Sequence, residues 1–462
     1  MTGEIERSTE EMDVLSDEQF NAIRRLLRAP DEPEELDIPV AVVSDLIMRI
    51  LFNEGHVSLR RLADVIKLEL KVLDSMLERM QYEQLVEVAS AGGMGRFTYV
   101  YNLTDAGSKR ARDSFARGQY IGPAPVPIEK YNQMIIQQTS HNLRLSPQKV
   151  QDALSHLILA DGFHRRIGPA INAGTSIFLY GPPGNGKTTV AEAVGELISG
   201  ASPIWVPYAI TIGGYIVSIY DPLIFREVPL DKEQLKVLRA DAHSSVDRRW
   251  GLFRRPAVIV GGELTMEALD LRFDDIAKFY EAPLQLKANG GMFLIDDFGR
   301  QMMPPSTLLN RWIVPLEAGY DFLRLQTGQT IQTPFRQLIV FSTNLDPLQL
   351  VDDAFLRRIQ MKVQVESPDE RMFFQIFASI AQQFGIPLEK DGFLYLLQTW
   401  YRDQGRPMQA VHPRDILKIL VAMADYEGLP ARMTPDAIDA ACMSYFVDTS
   451  QGGYAEPMPG QY

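Results

Sequence analysis

This sequence of 462 residues has a single cysteine, no long apolar run and no excess of positive charge. Cys442 is the only cysteine, which excludes an internal disulfide and leaves a cysteine-based metal site unsupported. No segment approaches the roughly 18 consecutive apolar residues that a membrane-spanning helix needs. The formal net charge of −13 argues against a general binder of polyanions. Because the acidic N-terminus lacks the basic and apolar regions of a signal peptide, we expect a cytoplasmic protein.

The length and composition indicate a soluble chain of several domains. Hydrophobic residues make up 46% of the sequence and charged residues 23%, which is typical of globular proteins with a sizeable core. A Glu- and Asp-rich start, a proline-rich segment (GQYIGPAPVP) and a polar C-terminus mark the boundaries. The predicted parts are an acidic mobile arm (1–37), a mixed helix and strand domain (38–117), a linker (118–142), an α/β domain (143–366), an all-helical domain (367–449) and a disordered tail (450–462).

The segment SIFLYGPPGNGKTT at 176–189 has the spacing of a phosphate-binding loop, G-x-x-x-x-G-K-T. An apolar strand precedes the glycines, and a helix is predicted from about Lys187, so backbone N–H groups and the helix N-terminus would cradle a polyphosphate. Lys187 is expected to reach the β- and γ-phosphates of a nucleoside triphosphate, and the Thr188 hydroxyl to ligate Mg²⁺. The candidate nucleotide-binding residues are Gly181, Pro182, Pro183, Gly184, Asn185, Gly186, Lys187, Thr188 and Thr189.

Two further apolar runs end in polar side chains that suit phosphate chemistry. The run GMFLIDDFG delivers Asp296 and Asp297 to the carboxyl end of a predicted buried strand, where α/β sheets bind ligands. Asp296 is expected to hold Mg²⁺, directly or through water, and Asp297 to orient and deprotonate the attacking water. The run LIVFSTN ends in the same way at Asn344.

The order of these motifs, together with IGPAINAG before the first strand, resembles the AAA+ ATPases over roughly Lys149 to Val447. The resemblance implies a three-layer parallel P-loop sheet with a C-terminal helical lid, ATP and Mg²⁺ as cofactors, and a ring oligomer, most often a hexamer. It also assigns roles to further residues. These are Asn344 (sensor 1), Arg357 and Arg358 (equal candidates for the arginine finger that acts on a neighbouring subunit), Arg414 (sensor 2 of the lid), and Leu157 and Ile158 (adenine contacts, with ordinary core positions as an equal alternative).

Asp297 is where this sequence departs from the AAA+ pattern, which usually has Glu at the second acidic position. The shorter side chain moves the carboxylate back by about one C–C bond, and small misplacements in an active site are costly. Slow or gated hydrolysis is therefore an alternative expectation.

The residues 38–117 resemble a winged helix-turn-helix domain. Three segments with helical spacing are followed by two apolar strands around Gly92–Gly95 and then by a helix that begins near Thr104. Such domains contact DNA through the third helix or dock onto proteins. The third helix balances Lys71 and Arg79 against Asp74 and Glu78, and the wing adds one cation, Arg96. Because DNA binding needs several cations, protein docking is favoured over nucleic acid.

Two other segments have open interpretations. GYDFLRLQTGQTIQT resembles the pre-sensor-1 hairpin of enhancer-binding activators, magnesium-chelatase subunits and MoxR-type ATPases, but the GAFTGA-type loop of the activators is absent. The long interval between Lys187 and Asp296 contains a possible hairpin at 209–219 and the arginine-rich segment 248–255. Its arginines, interleaved with aromatics, suit either a nucleic acid or acidic partner, or a structural connection.

Together these features predict an ATP-hydrolysing ring motor that remodels a protein client docked partly through the winged helix. The alternatives are a slow-turnover scaffold that assembles with ATP and a DNA-bound regulator.

Overall fold

The computed structural model describes residues 16–91, 96–139, 143–174, 176–239, 241, 244–350 and 356–446. The expected disordered tail, residues 1–15 of the acidic arm and the glycine tip of the N-terminal hairpin lie outside the described residues. None of the helices in the described ranges is long and apolar enough to cross a membrane.

The helices and strands are numbered in chain order. The helices are α1 (Asp17–Leu26), α2 (Val40–Glu54), α3 (Leu59–Ile66), α4 (Leu70–Tyr82), α5 (Asp105–Arg117), α6 (Ile128–Thr139), α7 (Pro147–Leu154), α8 (Phe163–Ala173), α9 (Lys187–Ser199), α10 (Lys232–Leu238), α11 (Leu284–Lys287), α12 (Pro305–Ala318), α13 (Pro347–Leu350), α14 (Glu370–Gln383), α15 (Lys390–Tyr395), α16 (His412–Glu427) and α17 (Pro435–Tyr445). The strands are β1 (Val57–Ser58), β2 (Val86–Ser90), β3 (Val100–Leu103), β4 (Val126–Pro127), β5 (Ser176–Tyr180), β6 (Ile204–Pro207), β7 (Ala209–Ile212), β8 (Tyr215–Ser218), β9 (Trp250–Phe253), β10 (Ala257–Val260), β11 (Arg272–Phe273), β12 (Tyr280–Glu281), β13 (Met292–Ile295), β14 (Tyr320–Arg324), β15 (Thr330–Pro334), β16 (Leu338–Thr343) and β17 (Met361–Gln364).

A parallel sheet with the strand order β10-β13-β16-β5-β17 forms the centre of the α/β domain. Its inner strands are continuous apolar runs because both of their faces are buried. Ile177 and Leu179 pack against α8 and α9 on one face, whereas Phe178 packs with Trp312 of α12 on the other. Helices therefore cover both faces, and the predicted α/β P-loop fold is confirmed.

The N-terminal domain combines α2 to α5 with an antiparallel sheet of order β1-β3-β2. Its core contains Leu46, Leu62, Leu73 and Tyr101, and it continues into Ala209 and Ile216 of the sequence inserted between α9 and β10. The N-terminal domain thus packs directly on that insertion.

The insertion contains the hairpin that the sequence predicts at 209–219. β7 and β8 pair in antiparallel register, and Gly213 and Gly214 turn the chain with φ of 55° and 89°. The wider sheet has the order β11-β12-β8-β7-β4. The prediction of this hairpin is confirmed, because consecutive glycines supply the left-handed conformations that a tight hairpin turn requires.

The sequence predicts an extended linker over 118–142, but the structure differs. Val126 and Pro127 form β4, which pairs with β7, and α6 follows immediately. Tyr131 and Ile135 of α6 are buried in the core of the insertion. The proline-rich composition predicts an isolated spacer, whereas pairing with β7, a strand far away in the sequence, holds this segment in place. Residues 140–142 lie outside the described residues.

The described part of the acidic arm is also packed. Ser16 caps α1, which places Ile23 in a cluster with Met134, Trp205 and Trp250. Residues 16–37 are therefore part of the folded structure rather than a mobile arm, because the apolar face of α1 is covered by residues far away in the sequence.

Two of the four arginines in the segment 248–255 are buried and have structural roles. Arg249 is 1% exposed, and its guanidinium donates to both carboxylate oxygens of Asp247 and to the carbonyl of Pro125. Arg255 is buried and donates to the carbonyls of Ser202 and Gly290. These two guanidinium groups are unavailable to an external partner, which favours the structural interpretation.

We expect Arg249→Met to lower the free energy of unfolding by about 3–5 kcal/mol, because it leaves the Asp247 carboxylate buried without its partner. The matched control is Arg248→Ala, which breaks an exposed 3.0 Å pair with Asp64 and should change stability by less than about 1 kcal/mol. Urea denaturation of both variants measures the difference. Equal effects of the two substitutions would contradict this assignment.

The hairpin β14–β15, just before β16, does not project freely. Leu323, Leu325 and Ile331 are buried against α6 and the inserted sheet. The side-chain amide of Asn132 donates to the Gln332 carbonyl at 3.0 Å, which ties α6 to β15. The C-terminal helices α14 to α17 pack around a separate core that includes Phe373, and a π-helical turn, Leu396–Arg402, continues α15 within it.

Candidate nucleotide-binding site

The loop between β5 and α9 has the backbone geometry of a phosphate cradle. Gly181, Gly184 and Gly186 have φ of 145°, 72° and 81°, conformations that favour glycine. A Cβ at Gly181 would lie 2.2 Å from the Val365 carbonyl oxygen. Gly186 is the N-cap of α9, and no side chain of the described residues caps the helix there. The first N–H groups of α9 are therefore oriented to bind an anion.

Lys187 lies inside this cradle. Its ammonium group donates to the carbonyls of Gly181 and Pro182, at 3.0 and 2.8 Å. Burial lowers the pKa of Lys187, while the carboxylates of Asp296 and Asp297 oppose that shift. A bound polyphosphate would place further negative charge beside the Lys187 ammonium group. The outer loop residues Pro182, Pro183, Thr188 and Thr189 are exposed.

Asp296 and Thr188 meet where β13 ends beside α9. The Thr188 hydroxyl donates to Asp296 Oδ2 at 2.7 Å, and Asp296 Oδ1 accepts the backbone N–H of Asp297 at 3.0 Å. A hydroxyl and a carboxylate oxygen at one point are the donors that Mg²⁺ uses beside phosphate ligands. The donor set therefore fits the predicted metal.

Asp297 and Asn344 are also adjacent. The Asn344 amide donates to Asp297 Oδ1 at 3.1 Å, so β16 supplies a direct partner to the acid that follows β13. Asp297 has φ of 47°, in the left-handed region that Asp and Asn tolerate better than most residues. The Phe298 N–H bond to Ser342 and the Thr343 hydroxyl bond to Phe298 hold this turn, at 2.7 and 2.6 Å.

The structure places the two finger candidates away from this site. The Arg358 carbonyl accepts from Ser176 Oγ at 3.4 Å, at the amino end of β5. The phosphate loop follows the other end of β5, roughly 13 Å away at the rise of a parallel strand. Arg358 Nε lies 2.5 Å from Glu317, whereas Arg357 is exposed. Residues 352–355 of this motif lie outside the described residues.

Arg414, in the first turn of α16, is likewise not brought to the phosphate loop by any contact among the described residues. Its guanidinium donates to Asp415 at 3.0 Å, and its side chain is 63% exposed. The neighbouring His412 is buried and lies 3.0 Å from the Tyr401 hydroxyl through Nδ1. Burial, and secondarily the charge of Arg406, lowers the pKa of His412 to about 4. His412 is thus neutral at physiological pH and has a structural role.

A cavity of about 260 Å³ lies between the phosphate loop and the start of the helical domain. Ile158, Phe163, Asn185 and Ala410 are among the residues that line it. Leu157 instead packs at the margin of the core beneath the sheet. Of the two adenine candidates in the described part of the chain, Ile158 lines this cavity, whereas Leu157 packs against the core.

Sequence reasoning did not find the contacts between the loop and the helical domain. The backbone N–H of Val411 donates to the Gly184 carbonyl at 2.8 Å, and that of Ala410 donates to Asn185 Oδ1 at 3.1 Å. Asn185 occupies a variable position of the phosphate-loop pattern, and its polar side chain was the one available signal. The Glu317 partner of Arg358 had no signal in the sequence.

The candidate surface of the N-terminal domain is neutralised by its own acids. Arg96 is paired with Asp74 at 3.0 Å and also with Glu78. Arg79 pairs with Glu83 at 3.2 Å. Phosphate contacts on this face would have to compete with these carboxylates, which disfavours duplex DNA as a ligand.

Comparisons with known proteins add a limited match. Residues 369–444, in the helical domain, match the family described as a domain of unknown function (DUF8689). No curated protein matches the sequence. The match covers less than a fifth of the chain and leaves the phosphate-loop domain outside it.

Solved structures resemble this chain only distantly. NtrX from Brucella abortus is 14% identical with a TM-score of 0.38, and the alignment covers 68% of this chain. This chain spans 58% of the length of that NtrX chain. A RuvB variant from Thermotoga maritima is 14% identical with a TM-score of 0.33, covering 66% of this chain and 71% of its own. Similarity at this level does not bear on the activity of this chain.

Proposed function

We propose that this chain is an AAA+ ATPase that hydrolyses Mg-ATP. The observation that carries the proposal is the convergence of Lys187, Thr188, Asp296, Asp297 and Asn344 at the carboxyl edge of one parallel sheet, beside a glycine cradle. Ligands of open α/β sheets bind at that edge.

Each residue of the site has a separate task in this proposal. The loop N–H groups and Lys187 bind the β- and γ-phosphates, while Thr188 and Asp296 hold Mg²⁺, which supplies charge neutralisation to the phosphoryl group. Asp297 accepts a proton from the attacking water. Asn344 orients Asp297 and that water, and Arg414 senses the γ-phosphate from the lid.

The proposed assembly is a ring, a hexamer by the AAA+ resemblance, in which Arg357 or Arg358 completes the site of a neighbour. Residues 38–117 are a winged-helix domain in this proposal, supported by their helices and antiparallel sheet. The paired charges on that face support docking of a protein client over DNA. ATP turnover would then remodel the docked client in the cytoplasm.

The proposal is tested by measuring the binding of a fluorescent ATP analogue and ATP hydrolysis. Lys187→Ala should weaken binding by about 10- to 100-fold, because a charge-assisted contact to phosphate is lost. The matched control is Lys71→Ala, an exposed lysine of the N-terminal domain, which should bind normally. Undiminished binding by Lys187→Ala, or a wild-type chain that binds no ATP, would overturn the proposal.

A slow-turnover scaffold is the second candidate, and the short acidic side chain of Asp297 favours it. Such a protein would assemble with ATP and show a turnover rate that does not rise with protein concentration. A rate that rises steeply with concentration and falls when Arg357 and Arg358 are removed would favour the motor.

A further inference from the structure

Asn185 makes an unusual pair of contacts for a side chain of the phosphate loop. It is 5% exposed, its Oδ1 accepts the backbone N–H of Ala410, and its Nδ2 donates to Ser367 Oγ, both at 3.1 Å. Both ends of the amide are thus engaged by the C-terminal part of the chain, and neither end is directed by these bonds toward a phosphate position.

Ser367 and Ala410 belong to different connections of the helical domain. Ser367 lies between β17 and α14, where the chain leaves the parallel sheet. Ala410 lies in the loop that precedes α16. One side chain of the phosphate loop therefore holds the beginning of the helical domain and, more than 40 residues later, the segment that leads into α16.

Gly184 adds a second point of attachment beside Asn185. Its carbonyl accepts the Val411 N–H at 2.8 Å. A Cβ at Gly184 would lie 2.7 Å from Val411 Cγ1, so the Val411 side chain packs closely against the Gly184 backbone. Backbone movement at residues 184–185 must therefore either move residues 410–411 or break these hydrogen bonds.

We infer that Asn185 is a positioning residue that couples the phosphate loop to α16 and thereby places Arg414. The inference rests on the proposed ATPase function. Arg414 follows Val411 by three residues, so it lies about 4.5 Å farther along the helix axis. A change in the loop on nucleotide binding is transmitted through Asn185 and Gly184 to the first turn of α16, which carries the sensor arginine.

The first test is amide hydrogen exchange of residues 405–415 in the full-length protein without nucleotide. Asn185→Ala should raise exchange at Ala410 directly and at Val411 through the shared loop, by about 2- to 10-fold, the range for one lost hydrogen bond. The matched control, Ser367→Ala, removes the other bond of the same amide and should raise exchange less at Ala410. Unchanged exchange in Asn185→Ala would overturn the inference.

The second test is a double-mutant cycle on ATP turnover between Asn185→Ala and Arg414→Ala. If Asn185 acts through Arg414, removing Arg414 should lower kcat by about tenfold in the wild-type background and by less than about twofold in Asn185→Ala. Fully additive effects would mean that Asn185 has only a local structural role. Binding of the fluorescent ATP analogue and the melting temperature of each variant separate this outcome from misfolding.

Failure of the proposed function gives a different pattern. A chain without ATPase activity would show no turnover in any variant, whereas the exchange result at Ala410 and Val411 would still decide whether Asn185 connects the loop to α16.

Discussion

Asp297→Asn is expected to lower ATP turnover by about 100-fold or more, the range for losing a general base, while ATP binding and the melting temperature stay close to wild type. Asn tolerates the left-handed conformation of residue 297, and its Oδ1 can still accept from Asn344. The substitution thus removes the proton acceptor and little else. Single-turnover hydrolysis and equilibrium binding measure the two effects separately.

The informative control is Asp297→Glu, which introduces the side chain that is usual at this position in AAA+ proteins. Glu at φ of 47° costs about 1–2 kcal/mol, and its carboxylate lies beyond the 3.1 Å contact with Asn344. We therefore expect Glu to reduce both stability and turnover. A faster Asp297→Glu enzyme would mean that the short side chain limits the natural chain, which would favour the scaffold. Full activity of Asp297→Asn would exclude Asp297 as the base.

The sequence predicts the centre of the candidate site well because its geometry is local. A buried strand, three glycines and the first turn of a helix occupy consecutive residues, so the cradle around Lys187 follows from short-range conformational preferences. The two acids also follow one apolar strand directly. Pairing of β13 with β16 then brings Asn344 to Asp297, as expected for parallel strands that end at one edge.

What the sequence could not predict depends on contacts between distant residues. Ala410 lies 225 positions from Asn185, and Pro125 lies 124 positions from Arg249. In the sequence, a buried arginine with an acidic partner looks the same as a surface arginine. The sequence predicts a linker around β4 because a proline-rich composition is typical of extended linkers. Composition does not reveal the pairing of β4 with β7. Local sequence patterns therefore predict the residues of the candidate site. How the surrounding domains pack around that site depends on tertiary contacts.

The second large effect on ATP turnover is expected from the two arginine-finger candidates. Arg357→Ala combined with Arg358→Ala should lower turnover by about 1,000-fold if one of them stabilises transition-state charge. Arg357 should account for most of the loss, because it is exposed whereas Glu317 engages Arg358. Glu317→Gln is the control: it removes the carboxylate that pairs with Arg358 without removing either guanidinium. ATP binding by the double variant should remain close to wild type, since the substitutions leave the phosphate loop and Lys187 unchanged.

Mixing two inactive variants tests whether the arginines act between subunits. Lys187→Ala chains keep both arginines, and the double arginine variant keeps its phosphate loop. In a mixed ring, a site is intact where the phosphate loop of a double arginine variant faces the arginines of a Lys187→Ala neighbour. A heterologous ring interface pairs a loop with a neighbour's arginines, and random mixing at equal amounts makes about a quarter of the sites intact. Turnover should therefore recover to about a quarter of wild type at most. No recovery, despite demonstrated mixed assembly, would mean that the arginines are not supplied in trans.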